Sequence, residues 1–362
     1  MTSAIPHILS FDRLSDYVGW MGDLSFEAYP FNELDALVLS LLSYYDFTSA
    51  FPEAVKIKTI RLGDCAWRIA SEPLPIRITG TDMGYDAVLE QAVKSKRFGD
   101  LVISSIVDLL DPSIPLQFAA MCFGCPEFNF LALRGTDSSL AGWKEDFMIA
   151  FTRTTAQELA QVYCEQHIED GKANYIGGHS KGGNLALYAA CHLSDGALAA
   201  LTRVYILDGP GLCPEVLDPE LIWRIGSKAT RIIPEFDIIG KLFEPAIADT
   251  RIVKSSAVGF VQHSIGTWCV DHGKLALAEQ NDPLSVELAK LIGNWIDSMD
   301  YDGRVRFTED VFDVLGANGA LMLEDLKAED LLRLLGHLTK EKTLKEMAAA
   351  EQHLRNRLSK SQ

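Results

Sequence analysis

The chain has 362 residues, of which 48% are hydrophobic, which is enough for one large domain with appendages or for two smaller domains. Its formal net charge of −17 argues against nucleic acid and anionic membrane surfaces as partners, because the field of an acidic protein repels both. No apolar run is long enough to cross a membrane, and the first residues lack the basic flank and apolar stretch of a secretory signal. We therefore expect a cytoplasmic protein without a transmembrane segment.

The seven cysteines are scattered along the chain, which is typical of a protein from a reducing compartment. Cys122 and Cys125 alone have the spacing of metal ligands. A structural zinc site needs a second pair, so the sequence predicts a hairpin turn here instead. No metal and no cofactor are predicted.

Helices are predicted for parts of the first fifty residues. Asn32 is suited to the N-cap, Asp35 follows at the third helical position, and an apolar stripe continues beyond it. This stripe consists of Leu37, Leu41, Leu42 and Tyr45. We expect the segment to pack on the main domain.

Two further helices and a pair of strands are predicted next. The helices cover residues 85–94 and 100–110, the second ending at an Asp-Pro-Ser turn. The strands cover 117–123 and 128–133, joined by a short Gly-Cys-Pro turn.

From residue 155 the pattern alternates between helices and strands, which indicates a mainly parallel sheet flanked by helices. The predicted helices are 155–168 and 184–193, and the predicted strands are 173–176, 204–207, 231–233 and 250–253. Parallel sheets of this kind bind ligands at the carboxyl ends of their strands. That edge is where a site is expected.

An amphipathic helix is predicted over residues 282–299, after which the composition changes. We assign residues 1–300 to one α/β domain, with its core at about 31–299, and residues 301–362 to a helical C-terminal appendage. Self-association through these helices is possible, although docking onto the chain's own domain is the more common outcome.

Ser180 is framed by Gly178 and Gly182, the spacing of a nucleophile elbow. In such a turn the serine has a strained backbone, and a side chain at either glycine would collide with the neighbouring strand or helix. The predicted strand before Ser180 and the predicted helix after it supply the required context.

A serine nucleophile needs a base, and in the chain order Ser, acid, His this base comes late. His263 lies in a loop after the strand at 250–253, from which it could reach the serine. His272 is the competitor. His337 and His353 fall in the appendage, and His179, inside the elbow, is interpreted as structural.

Two aspartates compete for the role of the acid that orients the histidine. Asp237 follows the strand at 231–233 and is preferred, while Asp208 closes the preceding strand in a Gly- and Pro-rich loop. Asp249 and Glu235 are more distant alternatives.

An oxyanion hole requires two donors. The backbone N–H of Lys181, directly after the serine, is one candidate. The other is Thr136, which follows the strand at 128–133 and could offer its N–H together with its hydroxyl.

The chain carries the motifs Leu133-Arg134-Gly135-Thr136-Asp137, Gly142-Trp143-Lys144-Glu145-Asp146-Phe147, Gly178-His179-Ser180-Lys181-Gly182-Gly183, and the Gln262-His263…Trp268 block. Their combination marks a resemblance to a bacterial family of α/β-hydrolases of unknown function that is related to the class 3 lipases. It implies an α/β-hydrolase fold with Ser180 as nucleophile, His263 as base, Thr136 in the oxyanion hole, Asp146 supporting that loop and Asp237 at the acid position. Lys181 departs from the apolar residue usual in lipases, which argues against long-chain triglycerides.

Together these features predict a serine hydrolase that cleaves a carboxylic ester or thioester, with a small-molecule or lipid-like substrate. The alternative is a catalytically silent hydrolase fold that acts as a binding or scaffold module. Acyl transfer to an acceptor other than water is a third possibility.

Overall fold

The computed structural model describes residues 11–50, 59–78, 83–111, 113–114, 116–137 and 140–316. Within them, an eight-stranded sheet has its strands side by side in chain order, and a two-stranded hairpin stands apart from it. The sheet strands are β1 (Thr59–Arg61), β2 (Val102–Asp111), β3 (Leu116–Gly124), β4 (Phe128–Leu133), β5 (Ala173–His179), β6 (Leu201–Leu207), β7 (Ala229–Pro234) and β8 (Asp249–Val253), and the hairpin is β9 (Val270–Asp271) with β10 (Lys274–Leu275).

The sheet has two halves. Strands β1 to β4 pair antiparallel, whereas β4 to β8 pair parallel. All six residues of β4 are buried, as expected for a strand covered by helices on both faces. The parallel half brings the carboxyl ends of β4, β5, β6 and β7 to one edge.

Helices cover both faces of the sheet. On one face, α2 (Glu33–Leu42) contacts β4, β5 and β6 in a first apolar cluster. On the other face, α8 (Thr155–His167) and α9 (Lys181–His192) contact β3 to β6 in a second apolar cluster. Alternate residues of β4 divide between the clusters, with Phe130 and Ala132 in one and Leu131 and Leu133 in the other. The helices are α1 (Leu14–Met21), α2 (Glu33–Leu42), α3 (Phe47–Ala50), α4 (Ala66–Ser71), α5 (Tyr85–Lys94), α6 (Lys96–Gly99), α7 (Leu140–Met148), α8 (Thr155–His167), α9 (Lys181–His192), α10 (Asp195–Ala200), α11 (Pro219–Ile225), α12 (Pro283–Asp297) and α13 (Tyr301–Gly316).

The predicted start of α2 is confirmed. The Asn32 side chain accepts from the backbone N–H of Leu34, and the Asp35 carboxylate accepts from the backbone N–H of Asn32. Asp35 also forms a fully buried ion pair with Arg97 of α6, at 2.6 Å between Nη2 and Oδ2. This pair connects α2 to the helices beside it, so the N-terminal segment is an integral part of the domain.

The prediction of a helix at 100–110 is wrong, because this segment forms the long strand β2. The order of apolar and polar residues in this segment is compatible with a helix or a strand. The segment forms a strand because it pairs along β3. A bulge between Ser104 and Val107, with Ser105 at φ 52°, breaks the strict alternation that would have indicated a strand.

The remaining predicted strands and helices agree with the structure to within a few residues. The hairpin between β3 and β4 carries Cys122 and Cys125 as free thiols. Of the predicted appendage, α13 is described, and it packs against α7, with Lys144 and Asp313 at 3.8 Å. Residues 317–362, which include His337 and His353, lie outside the described residues, and the proposed division at residue 300 stays a prediction.

Candidate active site

Ser180 occupies the sharp turn between β5 and α9. Its backbone has φ 58° and ψ −125°, a conformation that an L-residue rarely adopts. A Cβ on Gly178 would lie 2.4 Å from the carbonyl oxygen of Gly182, and a Cβ on Gly182 would lie 2.1 Å from that of Leu133. The turn therefore requires both glycines, as the nucleophile-elbow pattern predicts.

The loop after β4 passes directly beside this turn. A Cβ on Gly135 would lie 2.7 Å from the His179 carbonyl oxygen and 2.1 Å from the Tyr44 hydroxyl. Arg134 holds the loop from the other side through two hydrogen bonds to the Asp108 carboxylate, at 3.1 and 2.9 Å. Both contacts fix the start of the segment that leads to Thr136.

His263 lies within hydrogen-bond reach of the serine. Its Nε2 is 3.0 Å from Ser180 Oγ, and its Nδ1 is 2.7 Å from Asp208 Oδ2. The neutral tautomer with a proton on Nδ1 satisfies both contacts, since Nδ1–H then donates to the carboxylate and Nε2 accepts from the hydroxyl. Burial lowers the pKa of the His263 imidazole to about 4, against the opposing effects of Asp237 and Asp146, which favours this neutral form.

The acid beside His263 is Asp208, and the preference for Asp237 is therefore corrected. Asp208 follows β6 with φ 45°, a second left-handed residue at this edge of the sheet. Its backbone N–H donates to the Ile232 carbonyl of β7, which fixes the turn so that the carboxylate faces the histidine. Neither Glu235 nor Asp249 takes this position, and the Asp249 carboxylate bonds instead to Thr230 and Arg251.

Asp237 lies next to Asp208, and both carboxyl groups are buried. The backbone N–H of Gly240 points at both, 3.2 Å from Asp208 Oδ1 and 2.8 Å from Asp237 Oδ1. Burial raises the pKa of Asp208 to about 7, and burial together with the charge of Asp208 raises the pKa of Asp237 to about 9. Asp208 therefore loses its proton at a lower pH than Asp237 does.

The Thr136 hydroxyl donates to Asp146 Oδ2 of α7. This hydroxyl is consequently engaged, and the expectation that Thr136 would present N–H and hydroxyl together is corrected to the N–H alone. Burial raises the pKa of Asp146 to about 6, with Lys181 and the Thr136 bond opposing the shift. Asp146 contacts the loop as the resemblance implied.

The Lys181 side chain points away from the serine into the protein. Its ammonium lies 2.6 Å from Glu145 Oε2 and also donates to the backbone and side-chain oxygens of Gln117, at 2.6 and 3.0 Å. The side chains of Lys181 and Glu145 are each only 1% exposed. The Lys181 ammonium is therefore buried and paired with Glu145, and it does not stand as an exposed charge beside Ser180.

The backbone N–H of Lys181 is the first of helix α9, where N–H groups have no partner within the helix. It is therefore suited to stabilise negative charge next to Ser180.

His179 has a positional role that sequence reasoning did not find. Its Nε2 is 2.7 Å from the backbone carbonyl of His263, and its Nδ1 is 2.9 Å from the Tyr44 hydroxyl. Burial holds the pKa of His179 well below its usual range, so the ring is neutral, donates from Nε2 and accepts at Nδ1. A residue of the elbow, His179, thus fixes the backbone of His263 through a hydrogen bond.

The loop before His263 is held from two more directions. Gln262 accepts from the backbone N–H of Phe236 through its side chain, at 2.9 Å, and from the Trp268 indole through its carbonyl, at 2.8 Å. His272, the competitor, is 95% exposed and pairs with Asp271. It is not part of the site.

Among the described residues, no cluster of His, Cys, Asp and Glu is arranged to hold a metal ion, and no helix is long and apolar enough to cross a membrane. The architecture is an α/β-hydrolase fold: a serine stands on a strand-to-helix elbow, and an acid and a histidine follow later in the chain beyond parallel strands.

A family profile described as Mbeg1-like matches residues 92–313, more than half of the chain, and the chain belongs to the Mbeg1-like family. A crystal structure of M37 lipase is similar over 58% of this chain and 70% of that one, with 16% sequence identity and a TM-score of 0.35. No curated protein matches the chain.

Proposed function

We propose that this chain is a serine hydrolase that cleaves a carboxylic ester or thioester through an acyl-enzyme. The observation that carries the proposal is the continuous set of contacts from Ser180 Oγ to His263 Nε2, at 3.0 Å, and from His263 Nδ1 to Asp208 Oδ2, at 2.7 Å. A serine hydroxyl becomes a nucleophile when a base is placed to take its proton and an acid orients that base.

In the proposed reaction, Ser180 Oγ attacks the carbonyl carbon while His263 Nε2 takes the hydroxyl proton. Asp208 accepts from Nδ1–H and stabilises the imidazolium that forms. The backbone N–H groups of Lys181 and Thr136 would hold the developing oxyanion, and each such donor is typically worth about 3 kcal/mol in the transition state.

The tetrahedral intermediate collapses when His263 returns the proton to the leaving alcohol or thiol. Water then attacks the acyl-Ser180 ester and gives a proton to His263. His263 returns this proton to Ser180 Oγ as the bond to the acyl carbon breaks and the carboxylic acid departs. From the protein, these reaction steps use the side chains of Ser180, His263 and Asp208 and the backbone N–H groups of Lys181 and Thr136.

The strain at the site also supports a catalytic role. Ser180 and Asp208 both have positive φ values, 58° and 45°, although neither is glycine. Such conformations cost about 1–3 kcal/mol each and concentrate at functional sites. A purely structural turn could use glycine at both positions without that cost.

The test is turnover of short p-nitrophenyl esters and an acyl thioester by the purified chain and by Ser180→Ala. We expect the wild type to release product, and Ser180→Ala to fall to the rate of a buffer control with unchanged thermal stability. Equal turnover by both proteins would contradict the assignment of Ser180.

A further inference from the structure

The acid of the site is not a single carboxylate but one of a buried pair. Asp208 and Asp237 are 1% and 0% exposed, and the backbone N–H of Gly240 lies within hydrogen-bond distance of both carboxyl groups, at 3.2 and 2.8 Å. A Cβ on Gly240 would lie 2.8 Å from Asp208 Oδ1 and 2.9 Å from Asp237 Oδ2, so a glycine is what lets both carboxyl groups approach this amide.

The local charges do not allow both carboxyl groups to ionise. Arg231 is the cation facing the pair, with Nη2 3.8 Å from Asp237 Oδ2, and this is beyond hydrogen-bond distance. The Arg231 guanidinium bonds instead to Glu244, at 2.8 Å, and to the Gly240 carbonyl, at 2.6 Å. Two buried carboxylates that share one backbone N–H repel each other strongly unless one keeps a proton.

The position of that proton follows from the remaining contacts. Asp208 accepts from His263 Nδ1–H, which an ionised carboxylate does best. Asp237 Oδ1 accepts from Gly240, whereas Asp237 Oδ2 has no hydrogen-bonding N–H or hydroxyl donor among the described residues. An oxygen without a donor is the one that can carry a proton and donate it.

We propose that Asp237 is a protonated positioning residue that donates a hydrogen bond to Asp208, so that Asp208 stays ionised and holds His263 in its productive tautomer. The inference rests on the proposed function. It gives Asp237 a role distinct from the triad acid, and one that depends on its being neutral. The raised pKa of Asp237, about 9 against about 7 for Asp208, agrees with this division between them.

The first test compares Asp237→Asn with Asp208→Asn in the full chain. An asparagine at 237 can still donate to Asp208, so we expect activity within about tenfold of wild type. An asparagine at 208 presents the wrong partner to His263 and should cost about 10⁴-fold in kcat. Equal, large losses in both variants would overturn the inference.

The pH profile supplies a readout that a merely structural role would not change. In the wild type, kcat/KM should fall above about pH 9 as Asp237 loses its proton and its donor role. In Asp237→Asn, this fall should disappear because the amide does not titrate there. In Asp237→Ala, the lost donor should move the acidic limb to higher pH. An unchanged basic limb in Asp237→Asn would overturn the inference.

An infrared difference spectrum at pH 8 tests the proton without turnover. Wild type minus Asp237→Asn should show the carbonyl band of a protonated carboxyl group. If the protein is active but lacks this band, the inference about Asp237 is overturned while the proposed function stands. If the band is present but the protein is inactive, the inference about Asp237 stands and the result counts against the proposed function.

Discussion

At the scale of single residues, the site depends on which carboxyl group faces which nitrogen. Asp208 contacts His263, Asp237 contacts the Gly240 amide, and Asp146 contacts Thr136, so three acids of the site have different partners. Burial raises the pKa of each of them, and their partners oppose or add to that shift. Activity should therefore depend on pH in a way that an exposed aspartate would not produce.

The acidic limb of the pH profile is expected near pH 7. The pKa of Asp208 is raised to about 7, so the carboxyl group is ionised above this pH and protonated below it. A protonated Asp208 cannot accept from His263 Nδ1–H as a charged acceptor, and the rate falls on the acid side. Measuring kcat/KM between pH 5 and pH 9 checks this, and a rate that stays level down to pH 5 would be inconsistent with it.

The serine and the histidine that sequence reasoning paired lie together in the structure, whereas the preferred acid, Asp237, is not the one that contacts the histidine. Asp208 and Asp237 both follow buried strands of the same parallel sheet, so strand position alone does not separate them. What separates them is the positive φ of Asp208 and the bond from its amide to Ile232, which are properties of the folded backbone. A positive φ at a non-glycine residue is difficult to predict from a single sequence.

At the scale of elements, the elbow works because three segments meet with almost no space between them. The turn at Ser180 lies against the end of β4, and the amino end of α9 lies against the loop after β6, where a Cβ on Gly209 would be 2.7 Å from the Gly183 carbonyl carbon. The buried pair of Lys181 and Glu145 joins α9 to α7. Such close packing makes the site sensitive to a single added methyl group.

Gly182→Ala should damage the site, whereas Gly196→Ala should not. The first substitution places a Cβ 2.1 Å from the Leu133 carbonyl oxygen, so the elbow must shift, and a displacement of this kind can cost about 10²-fold in rate. The second lies in helix α10 with nothing within 4 Å, and it should stabilise the fold by about 0.4–1 kcal/mol.

Thermal unfolding and ester turnover of the two variants check this pair. Gly196→Ala also controls for the general effect of replacing a helical glycine. A fully active and stable Gly182→Ala would mean that the close approach of β4 and α9 is not required.

The misassigned segment 100–110 shows where element-level prediction fails. The β-branched residues Val102, Ile103, Ile106 and Val107 were compatible with a strand, but the bulge at Ser105 offsets their alternation. Strands β4 and β5, by contrast, are short, largely buried segments bounded by turn signals, and their type could be predicted from the sequence.

At the scale of the whole molecule, the residues of the site come from one sheet edge and the loops around it. They extend from Arg134 to His263, and Tyr44 adds a contact from the region after α2. Helix α13 packs against α7, which carries Asp146. The described part of the C-terminal region thus packs against the helix that carries the hydrogen-bond partner of Thr136.

A chain that ends at Gly316 should keep its activity. It retains α13, including the Lys144–Asp313 ion pair and the packing of Arg304 over Phe151, at 6.0 Å. Turnover and size-exclusion elution of this shortened chain check the point, with a chain ending at Met299 for comparison. We expect the chain ending at Met299 to lose stability because α7 loses its neighbour. If removing residues 317–362 abolished turnover, the site would need more than the residues assigned to it.

The central claim is that Ser180 is an activated nucleophile. Its most direct test is intact-mass and peptide mass spectrometry after treatment with a fluorophosphonate, which labels serines activated by a base. We predict one adduct on Ser180 in the wild type, no adduct in Ser180→Ala, and strongly slowed labelling in His263→Ala. A wild-type protein that remains unlabelled, or an adduct that persists in Ser180→Ala, would contradict the account.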